Sequence, residues 1–298
     1  MRLAIFDDHR PGVVSADGQT IVDISAALPW PHDPDPFGAG WWVRLCRDFH
    51  QLRDRIAEAA GSGQSRPLNS VRLCAPVLNP TKIVAAAANY AAHREEMHAI
   101  AARTGARPPG TGWLSEFEVF LKAPSSIIGP GETCRLPRRP VEEGKEIHHE
   151  SELALVIGSG GSHIAEADAL QHVLGYTIGL DMTVRGAGDR SRRKSYDTFT
   201  PIGPWITTAD EVGDPHALEI RLTVNGEERQ HVSSGEMSTK IPSILAYASS
   251  VMRLEPGDVV LTGAPPGVNQ VHDGDVMDAS ISRLGGMRIP VRLQGAGA

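Results

Sequence analysis

Two glutamates just before an apolar run are the residues with the clearest chemical potential in this sequence. Glu150 and Glu152 are separated by one residue and precede the run 153–158. Side chains alternate across a strand, so both carboxylates are expected on one face, with Cα atoms roughly 7 Å apart. Carboxylates this close repel each other unless a cation lies between them, and oxygen ligands suit Mg²⁺ or Mn²⁺. The pair predicts a divalent-metal site, with the solvated face of an edge strand as the alternative.

The residues that follow favour the metal site. Leu153, Leu155 and Ile157 alternate with Ala154 and Val156, so both faces of the predicted strand are apolar. This pattern is typical of a buried strand, and carboxylates at the mouth of a buried strand need partners.

A third carboxylate follows a second β-rich run. The segment 176–184 places Asp181 at the end of a predicted strand. Three carboxylates together with waters and a bidentate substrate would complete the octahedral oxygen shell that Mg²⁺ prefers. The alternative is that Asp181 only caps a loop.

A possible acid/base pair lies upstream, in a segment of helical character. His93 and Glu96 are three residues apart and therefore share a helix face. The imidazole titrates near neutral pH, and a carboxylate beside it can orient it or polarise a water. The alternative is an ordinary His–Glu pair on a solvated helix.

The elements that must position these residues are mostly short strands. No regular βαβ alternation is present, and Asp17-Gly18 and Asn225-Gly226 are typical of hairpin turns. The pattern predicts an α+β fold that is mostly β. Helices are expected around Leu45–Ile56, over 162–174 and over 242–252.

Two polar segments are predicted to connect the structured parts of the chain. Residues 61–67 are linker-like, which predicts a small N-terminal domain over 1–66 and a catalytic domain over 67–298. Residues 101–116, rich in Gly and Pro, are predicted to form a flexible loop after the His93 helix, where a lid could close on the site.

The order of six short motifs resembles the fumarylacetoacetate hydrolase family, including its acylpyruvate hydrolase and hydroxymuconate isomerase or hydratase branches. The resemblance covers roughly residues 70–285 and rests on the motifs Asn89-Tyr90-x-x-His93-x-x-Glu96, Phe120–Ser125, His148–Gly158, Asp181–Arg185, Lys194–Pro204 and Leu261–Val268. It implies a β-roll built of several sheets.

The resemblance also implies roles for individual residues. It implies that Mg²⁺ or Mn²⁺ is bound by Glu150, Glu152 and Asp181. It implies that His93 and Glu96 activate water or shuttle protons from a lid helix. It further implies that Lys194 is an anchor for developing negative charge.

Further substrate contacts are expected from Lys122, Arg185 and Thr262. Lys122 would offset charge on the substrate and on the transition state. Thr262 and the glycine backbone beside it would bind a carboxylate or a water, with an ordinary strand-end residue as the alternative for Thr262.

The sequence departs from the family pattern at two places. Leu180 stands where the family usually has Asn, and Gly186-Ala187-Gly188 replaces the usual Asp-x-Gln after the arginine. The glutamine that helps to form an oxyanion site in such hydrolases has no evident counterpart. Arg190 and Arg192 are the candidates for a substitute donor.

Composition restricts the class of protein further. The chain has 298 residues, 41% hydrophobic residues and a formal net charge of −7, which disfavours non-specific binding to nucleic acid. The three cysteines, Cys46, Cys74 and Cys134, show no paired spacing and indicate a reducing cytoplasm. We expect neither a signal peptide nor a membrane span.

The predicted function is a Mg²⁺- or Mn²⁺-dependent hydrolase that cleaves a C–C bond in a small 2,4-dioxo acid, working as a cytoplasmic homodimer in aromatic or sugar-acid catabolism. An isomerase, hydratase or decarboxylase of a 2-oxo acid would use the same metal chemistry and stays an alternative. A nicotinamide-dependent oxidoreductase is a second alternative, because Gly158, Gly160 and Gly161 partly match a dinucleotide loop. A family member that binds metal without turnover is a third.

Overall fold

The described part of the chain, residues 1–36, 38, 40–105 and 117–295 of a computed structural model, folds into three β-sheets with six α-helices. The strands are β1 Arg2–Phe6, β2 Arg10–Val14, β3 Thr20–Asp23, β4 Ser65–Pro67, β5 Ile83–Ala86, β6 Val119–Lys122, β7 Ile127–Ile128, β8 Cys134–Leu136, β9 Ile147–His148, β10 Ser151–Ile157, β11 Val173–Leu180, β12 Thr183–Val184, β13 Thr200–Thr208, β14 Glu219–Val224, β15 Glu227–Ser233, β16 Val259–Leu261, β17 Val276–Ile281 and β18 Gly285–Leu293. The helices are α1 Gly40–Ser62, α2 Ala91–Thr104, α3 Arg138–Glu142, α4 Arg190–Lys194, α5 Ala209–Val212 and α6 Ile241–Val251.

The largest sheet has eleven strands. Ten follow the order β4-β3-β2-β1-β13-β11-β10-β16-β5-β6, and β7 pairs with β13 outside that path. A five-stranded sheet has the order β15-β14-β17-β18-β8, and β12 pairs with β9 in a short ribbon. The predicted mostly-β mixed fold is therefore confirmed.

Both faces of the large sheet are covered, as the alternation in β10 predicts. Leu153, Leu155 and Ile157 join the core formed with the five-stranded sheet and α6. Ala154 and Val156 belong to a second core, which includes the buried side of α1. A strand apolar on both faces is stable only between two such layers, because either face would otherwise meet water.

The N-terminal segment is hydrogen-bonded into the large sheet. Strand β1 pairs with β13, aligning Leu3 with Ile206, and β2, β3 and β4 extend the sheet outward. The residues interpreted as a linker, 61–67, include the end of α1 and strand β4. The proposed boundary at residue 66 therefore falls within a strand of this sheet.

Two of the local elements predicted from the sequence form as expected, and two differ. The Asn225-Gly226 turn joins β14 to β15, and α6 covers most of the helix predicted over 242–252. Residues 162–174 differ from the prediction, since they contain a 3₁₀ helix over Glu166–His172 before β11 begins. The predicted start of the lid loop, residue 101, is too early, because residues 101–104 still belong to α2. Residues 106–116 lie outside the described part.

The glycine-rich loop after β10 does not form a dinucleotide site. Its strand β10 continues into β11, which is antiparallel to it. A dinucleotide fingerprint requires a helix that crosses to a parallel strand. The antiparallel connection removes the basis of the oxidoreductase alternative.

Candidate metal centre and active site

Strand pairing brings the three predicted carboxylates to one edge of the large sheet. Strands β10 and β11 are antiparallel, with Ser151 opposite Leu180, so the start of one strand meets the end of the other. Glu150 and Glu152 flank Ser151, and Asp181 follows Leu180. The Asp181 N–H donates to the Glu150 carbonyl at 2.8 Å, which fixes their relative position.

The three carboxylates form a compact buried cluster. One oxygen from each of Glu150, Glu152 and Asp181 lies within 4.8 Å of the other two. All three residues are at most 4% exposed. Carboxylate oxygens that are this close together and this well buried from solvent are stable only beside cations.

Three basic side chains lie against two of these carboxylates. Lys194 Nζ contacts both Glu150, at 2.7 Å, and Asp181. Lys122 Nζ lies 2.5 Å from the other Asp181 oxygen, and Arg185 Nη2 lies 2.7 Å from Glu150 Oε1. These contacts position the cluster from strand β6, helix α4 and the end of β12.

Glu152 is in a different electrostatic environment. Its Oε2 accepts from the Gly263 N–H at 2.6 Å, and the ion pairs found among the described residues do not include it. Burial beside Asp181 and Glu150 raises the pKa of Glu152 well above its ordinary value. The pKa of Glu150 is instead lowered, because the nearby charges of Lys194 and Arg185 outweigh the opposing effect of burial.

This donor set fits a hard divalent cation. The cluster offers oxygen ligands only, which match the preference of Mg²⁺ and Mn²⁺. Lys194, Lys122 and Arg185 contact Glu150 and Asp181 but not Glu152, and a cation between the three carboxylates would compensate the third charge.

The predicted acid/base pair forms in α2. His93 Nδ1 lies 3.0 Å from Glu96 Oε2, and His93 is only 4% exposed. Glu96 Oε1 accepts from the Gly267 N–H at 3.2 Å. The carboxylate is therefore held between the imidazole and a loop that follows β16.

Gly267 is required at this position by its surroundings. Its φ is +92°, and a Cβ would lie 1.9 Å from the Arg229 carbonyl oxygen. Any other residue would displace the backbone N–H that holds Glu96.

Asn89 begins the motif that contains His93 and Glu96, but the sequence predicted no role for it. Its Nδ2 donates to the Thr239 and Thr262 carbonyls at 2.8 and 2.9 Å, and its Oδ1 accepts from the Thr239 N–H at 2.7 Å. These bonds fix the chain just before α2 begins and so position His93. An Asn two residues before a predicted helix was the signal that could have indicated this role.

A cavity of about 920 Å³ joins the two groups of residues. Its lining includes the three carboxylates, His93, Arg185 and Lys194. The structure therefore gathers most of the predicted site residues around one space, although they are spread over about a hundred positions of sequence.

Two predicted substrate-binding residues lie outside this lining. Lys122 is fully buried and donates to Asp181 and, at 2.9 Å, to the Phe199 carbonyl. Thr262 directs its hydroxyl to the Leu153 carbonyl at 2.9 Å. The backbone N–H beside it, that of Gly263, binds Glu152.

The segment that departs from the family pattern lines the cavity. Gly186, Gly188 and Arg190 contribute to the lining, whereas Arg192 is exposed and does not. Leu180 is fully buried in the main core. Of the two arginines considered as substitute donors, Arg190 alone borders the cavity.

Comparison with known proteins places the chain in a family. The family model described as "Fumarylacetoacetate (FAA) hydrolase C-terminal" matches residues 82–292, so the chain belongs to the fumarylacetoacetate hydrolase family. The resemblance inferred from the six motifs is thereby confirmed.

Three relatives illustrate the similarity. Maleylpyruvate hydrolase of Aquipseudomonas alcaligenes is 38% identical over 98% of this chain and 99% of its own length. The structure of maleylpyruvate hydrolase from Sphingobium sp. SYK-6, in complex with manganese(II) ion and pyruvate, is 41% identical with a TM-score of 0.85, covering 98% of this chain and 99% of that chain. The mitochondrial oxaloacetate tautomerase of Xenopus laevis is 33% identical over 98% of this chain and 90% of its own length.

Proposed function

We propose that this protein is a Mg²⁺- or Mn²⁺-dependent hydrolase that cleaves the C–C bond of a small 2,4-dioxo acid of the acylpyruvate or fumarylacetoacetate type. The observation that carries the proposal is that Glu150, Glu152 and Asp181 share one cavity with His93, whose ring contacts Glu96 just outside the lining. Two maleylpyruvate hydrolases similar over nearly the whole chain support the reaction class, and manganese is bound in one of them.

The metal would be held by Glu150, Glu152 and Asp181. When bound, it supplies Lewis-acid polarisation of substrate oxygens and compensation for negative charge that develops on them. Lys194, which contacts two of these carboxylates, keeps them in place and adds positive charge to the cavity.

His93, oriented by Glu96, transfers the proton from the attacking water to the substrate. Glu96 accepts from His93 Nδ1, which leaves the Nε2 lone pair to take a proton from water. The water oxygen bonds to C4 of the substrate, and the C3–C4 bond breaks with its electron pair passing to C3. Protonation of C3 by His93 Nε2 completes the reaction. The products are pyruvate and the carboxylic acid derived from the acyl group.

Arg185 and Lys122 support this arrangement by different routes. Arg185 borders the cavity while its guanidinium holds Glu150, so it can offset substrate charge from the edge of the cluster. Lys122 acts through Asp181, because it is buried behind that carboxylate. The direct substrate contact expected of Thr262 stays a prediction.

A second candidate function uses the same residues without attack by water. The similarity to an oxaloacetate tautomerase favours it, since keto–enol exchange of a 2-oxo acid needs only a metal and a proton carrier. Isomerase, hydratase and decarboxylase reactions belong to the same group.

One substrate panel distinguishes these functions. The purified protein is loaded with Mn²⁺ and given acylpyruvates, fumarylpyruvate, hydroxymuconate derivatives and oxaloacetate, with a metal-stripped sample as control. Release of pyruvate from the dioxo acids, dependent on the metal, is the expected result. Tautomerisation or decarboxylation of oxaloacetate without cleavage of any dioxo acid would replace the proposal with the second candidate. Binding of the acids without turnover would indicate a non-catalytic family member.

We further propose a cytoplasmic homodimer that functions in catabolism of aromatic compounds or sugar acids. The three cysteines are unpaired, as expected in a reducing compartment. Among the described helices, none is both long and apolar enough to cross a membrane. Light scattering of the purified protein gives its subunit number, and a monomeric mass would contradict the dimer.

A further inference from the structure

The loop after β16, residues 263–268, carries backbone N–H groups that hold both parts of the site. The Gly263 N–H donates to Glu152 Oε2 at 2.6 Å, and the Gly267 N–H donates to Glu96 Oε1 at 3.2 Å. Helix α2 also packs on this loop through a small cluster of buried apolar residues, formed by Ile100, Ala264 and Val268. The position of the 263–268 loop therefore determines how the carboxylate cluster and the acid/base pair lie relative to each other.

Gln230 of β15 connects this loop to the segment that carries the two glutamates. Its Oε1 accepts from the backbone N–H of Ser151, the residue between the glutamates, at 3.0 Å. Its Nε2 donates to the carbonyl of Pro265, midway between the two glycine donors of the loop, at 3.1 Å. One side chain thus links the backbones of two segments that are more than a hundred positions apart in sequence.

The partners of Gln230 fix the orientation of its amide. A backbone N–H only donates and a backbone carbonyl only accepts, so the oxygen faces Ser151 and the nitrogen faces Pro265. His149 Nδ1 lies 3.1 Å from the same amide oxygen and therefore carries its proton on Nδ1. The arrangement has a defined direction, with the acceptor end at the glutamate segment and the donor end at the loop.

Gln230 is fully buried at an inward-facing position of β15, as is Val232 two residues later. The cavity lining formed by the described residues does not include it. A buried amide is costly unless it is hydrogen-bonded, and an apolar side chain would suit this position for packing alone. The preceding residue also touches the loop, since the Arg229 carbonyl oxygen leaves no room for a Cβ on Gly267. Strand β15 is therefore the support on which the loop rests.

We propose that Gln230 is a positioning residue that fixes the glutamate segment relative to the 263–268 loop, so that the metal ligands and the His93–Glu96 pair face the same substrate. It acts through Ser151 on the metal ligands and through Pro265 on the N–H donors of the loop. This inference rests on the proposed function only in that the metal site and the pair act together, and it applies equally to hydrolysis and to tautomerisation.

Metal affinity tests the link to the glutamates independently of turnover. Gln230→Met has a similar size but loses both links. Calorimetric titration of Mn²⁺ into the metal-stripped variant should show an affinity lower than that of the parent by roughly 10- to 100-fold, the usual effect of removing a group that orients metal ligands. If Gln230→Met does not fold, Gln230→Asn takes its place, because it keeps an amide that is one methylene too short to reach both partners. It should change the affinity in the same direction.

Ser249→Ala is the matched control. Ser249 is buried in α6, and its Oγ likewise accepts from a distant backbone N–H, that of Ile164, at 2.9 Å. Because this bond joins α6 to residue 164 and not to the site, the variant should lose stability in urea unfolding and keep the Mn²⁺ affinity and kcat of the parent. A loss of stability in Gln230→Met with parental Mn²⁺ affinity and kcat would show a purely structural role and overturn the proposal.

A double-mutant cycle tests the link to the loop. Turnover is measured at saturating Mn²⁺ with whichever acid of the substrate panel the parent converts, and Gln230→Met should lower kcat by roughly 10- to 100-fold. In a Glu96→Ala background the same substitution should have a much smaller further effect, because Gly267 has already lost its acceptor. Full additivity of the two losses would overturn the link through Pro265. If the parent converts no acid, the proposed function fails, and the Mn²⁺ titration decides the role of Gln230.

Discussion

The backbone N–H of Gly263 donates to Glu152 Oε2 at 2.6 Å and gives this carboxylate a neutral partner where Glu150 and Asp181 have cationic ones. A single neutral hydrogen bond compensates a buried charge only in part. The charge of Glu152 is thus the one in the cluster that depends most on a bound cation. A substitution at Glu152 can therefore distinguish an effect on metal binding from an effect on folding.

Substitution of Glu152 by Gln should have opposite effects with and without metal. Without metal, the variant should be at least as stable as the parent, because burial and the nearby charges of Asp181 and Glu150 both disfavour a carboxylate at this position and a neutral amide avoids that cost. With Mn²⁺ at 100 times its dissociation constant, the parent should gain about 2.7 kcal/mol and several degrees in Tm, and Glu152→Gln should lose most of this gain. Thermal unfolding with and without Mn²⁺ measures both effects.

Glu118→Gln is the control for this experiment, since Glu118 borders the cavity outside the cluster. It should keep the full response to Mn²⁺. A parent protein whose Tm and activity are unchanged by excess chelator would contradict the metal assignment.

Replacement of His93 by Ala should reduce turnover by roughly 10²- to 10⁴-fold, the usual contribution of a positioned acid or base. Mn²⁺ and oxalate, which resembles the planar enolate of pyruvate, should still bind, because the carboxylate cluster is intact. Steady-state kinetics and calorimetric titration of oxalate provide the two measurements. His98→Ala, an exposed change on the same helix, should retain activity. Normal turnover by His93→Ala would show that the helix pair has no catalytic role.

Substitution of Lys122 by Met should destabilise the fold by about 3–5 kcal/mol, because it leaves Asp181 buried without one of its cations. Burial lowers the pKa of Lys122 against the opposing effect of Asp181, which reflects the cost of keeping this charge in the core. Urea unfolding gives the change in free energy of unfolding. The control is Lys145→Met at an exposed ion pair, where we expect a change below about 1 kcal/mol. Similar values for the two variants would indicate that the buried pair contributes little.

Gly267→Ala should impair both stability and turnover. The added Cβ would lie 1.9 Å from the Arg229 carbonyl oxygen, so the loop must move and Glu96 loses its backbone donor. Gly274 is a matched control: its φ is +94°, nearly the same, but a Cβ there has no atom within 4 Å among its described neighbours. Gly274→Ala should therefore cost only about 1 kcal/mol of backbone strain in urea unfolding, with activity retained. Equal costs for the two variants would mean that the contact with Arg229 is unimportant.

Patterns over a few neighbouring residues were enough to predict the local features of the fold and of the site. The alternation of Leu153–Ile157 predicted a strand covered on both faces, and the positions of Glu150, Glu152 and Asp181 predicted a cluster of carboxylates. The spacing of His93 and Glu96 predicted their contact. These features depend on periodicity over a few residues, which is readable along the chain.

The contacts between these features depend on long-range packing. The pairing of Lys122 with Asp181 and of Gly263 with Glu152 joins residues 59 and 111 positions apart. Strand register and the paths between the strands set such contacts, and no local pattern specifies either of them. The same holds for the N-terminal strands, which extend the main sheet through the pairing of β1 with β13. It also holds for Arg190, whose position over Phe120 follows from the packing of α4 against β6.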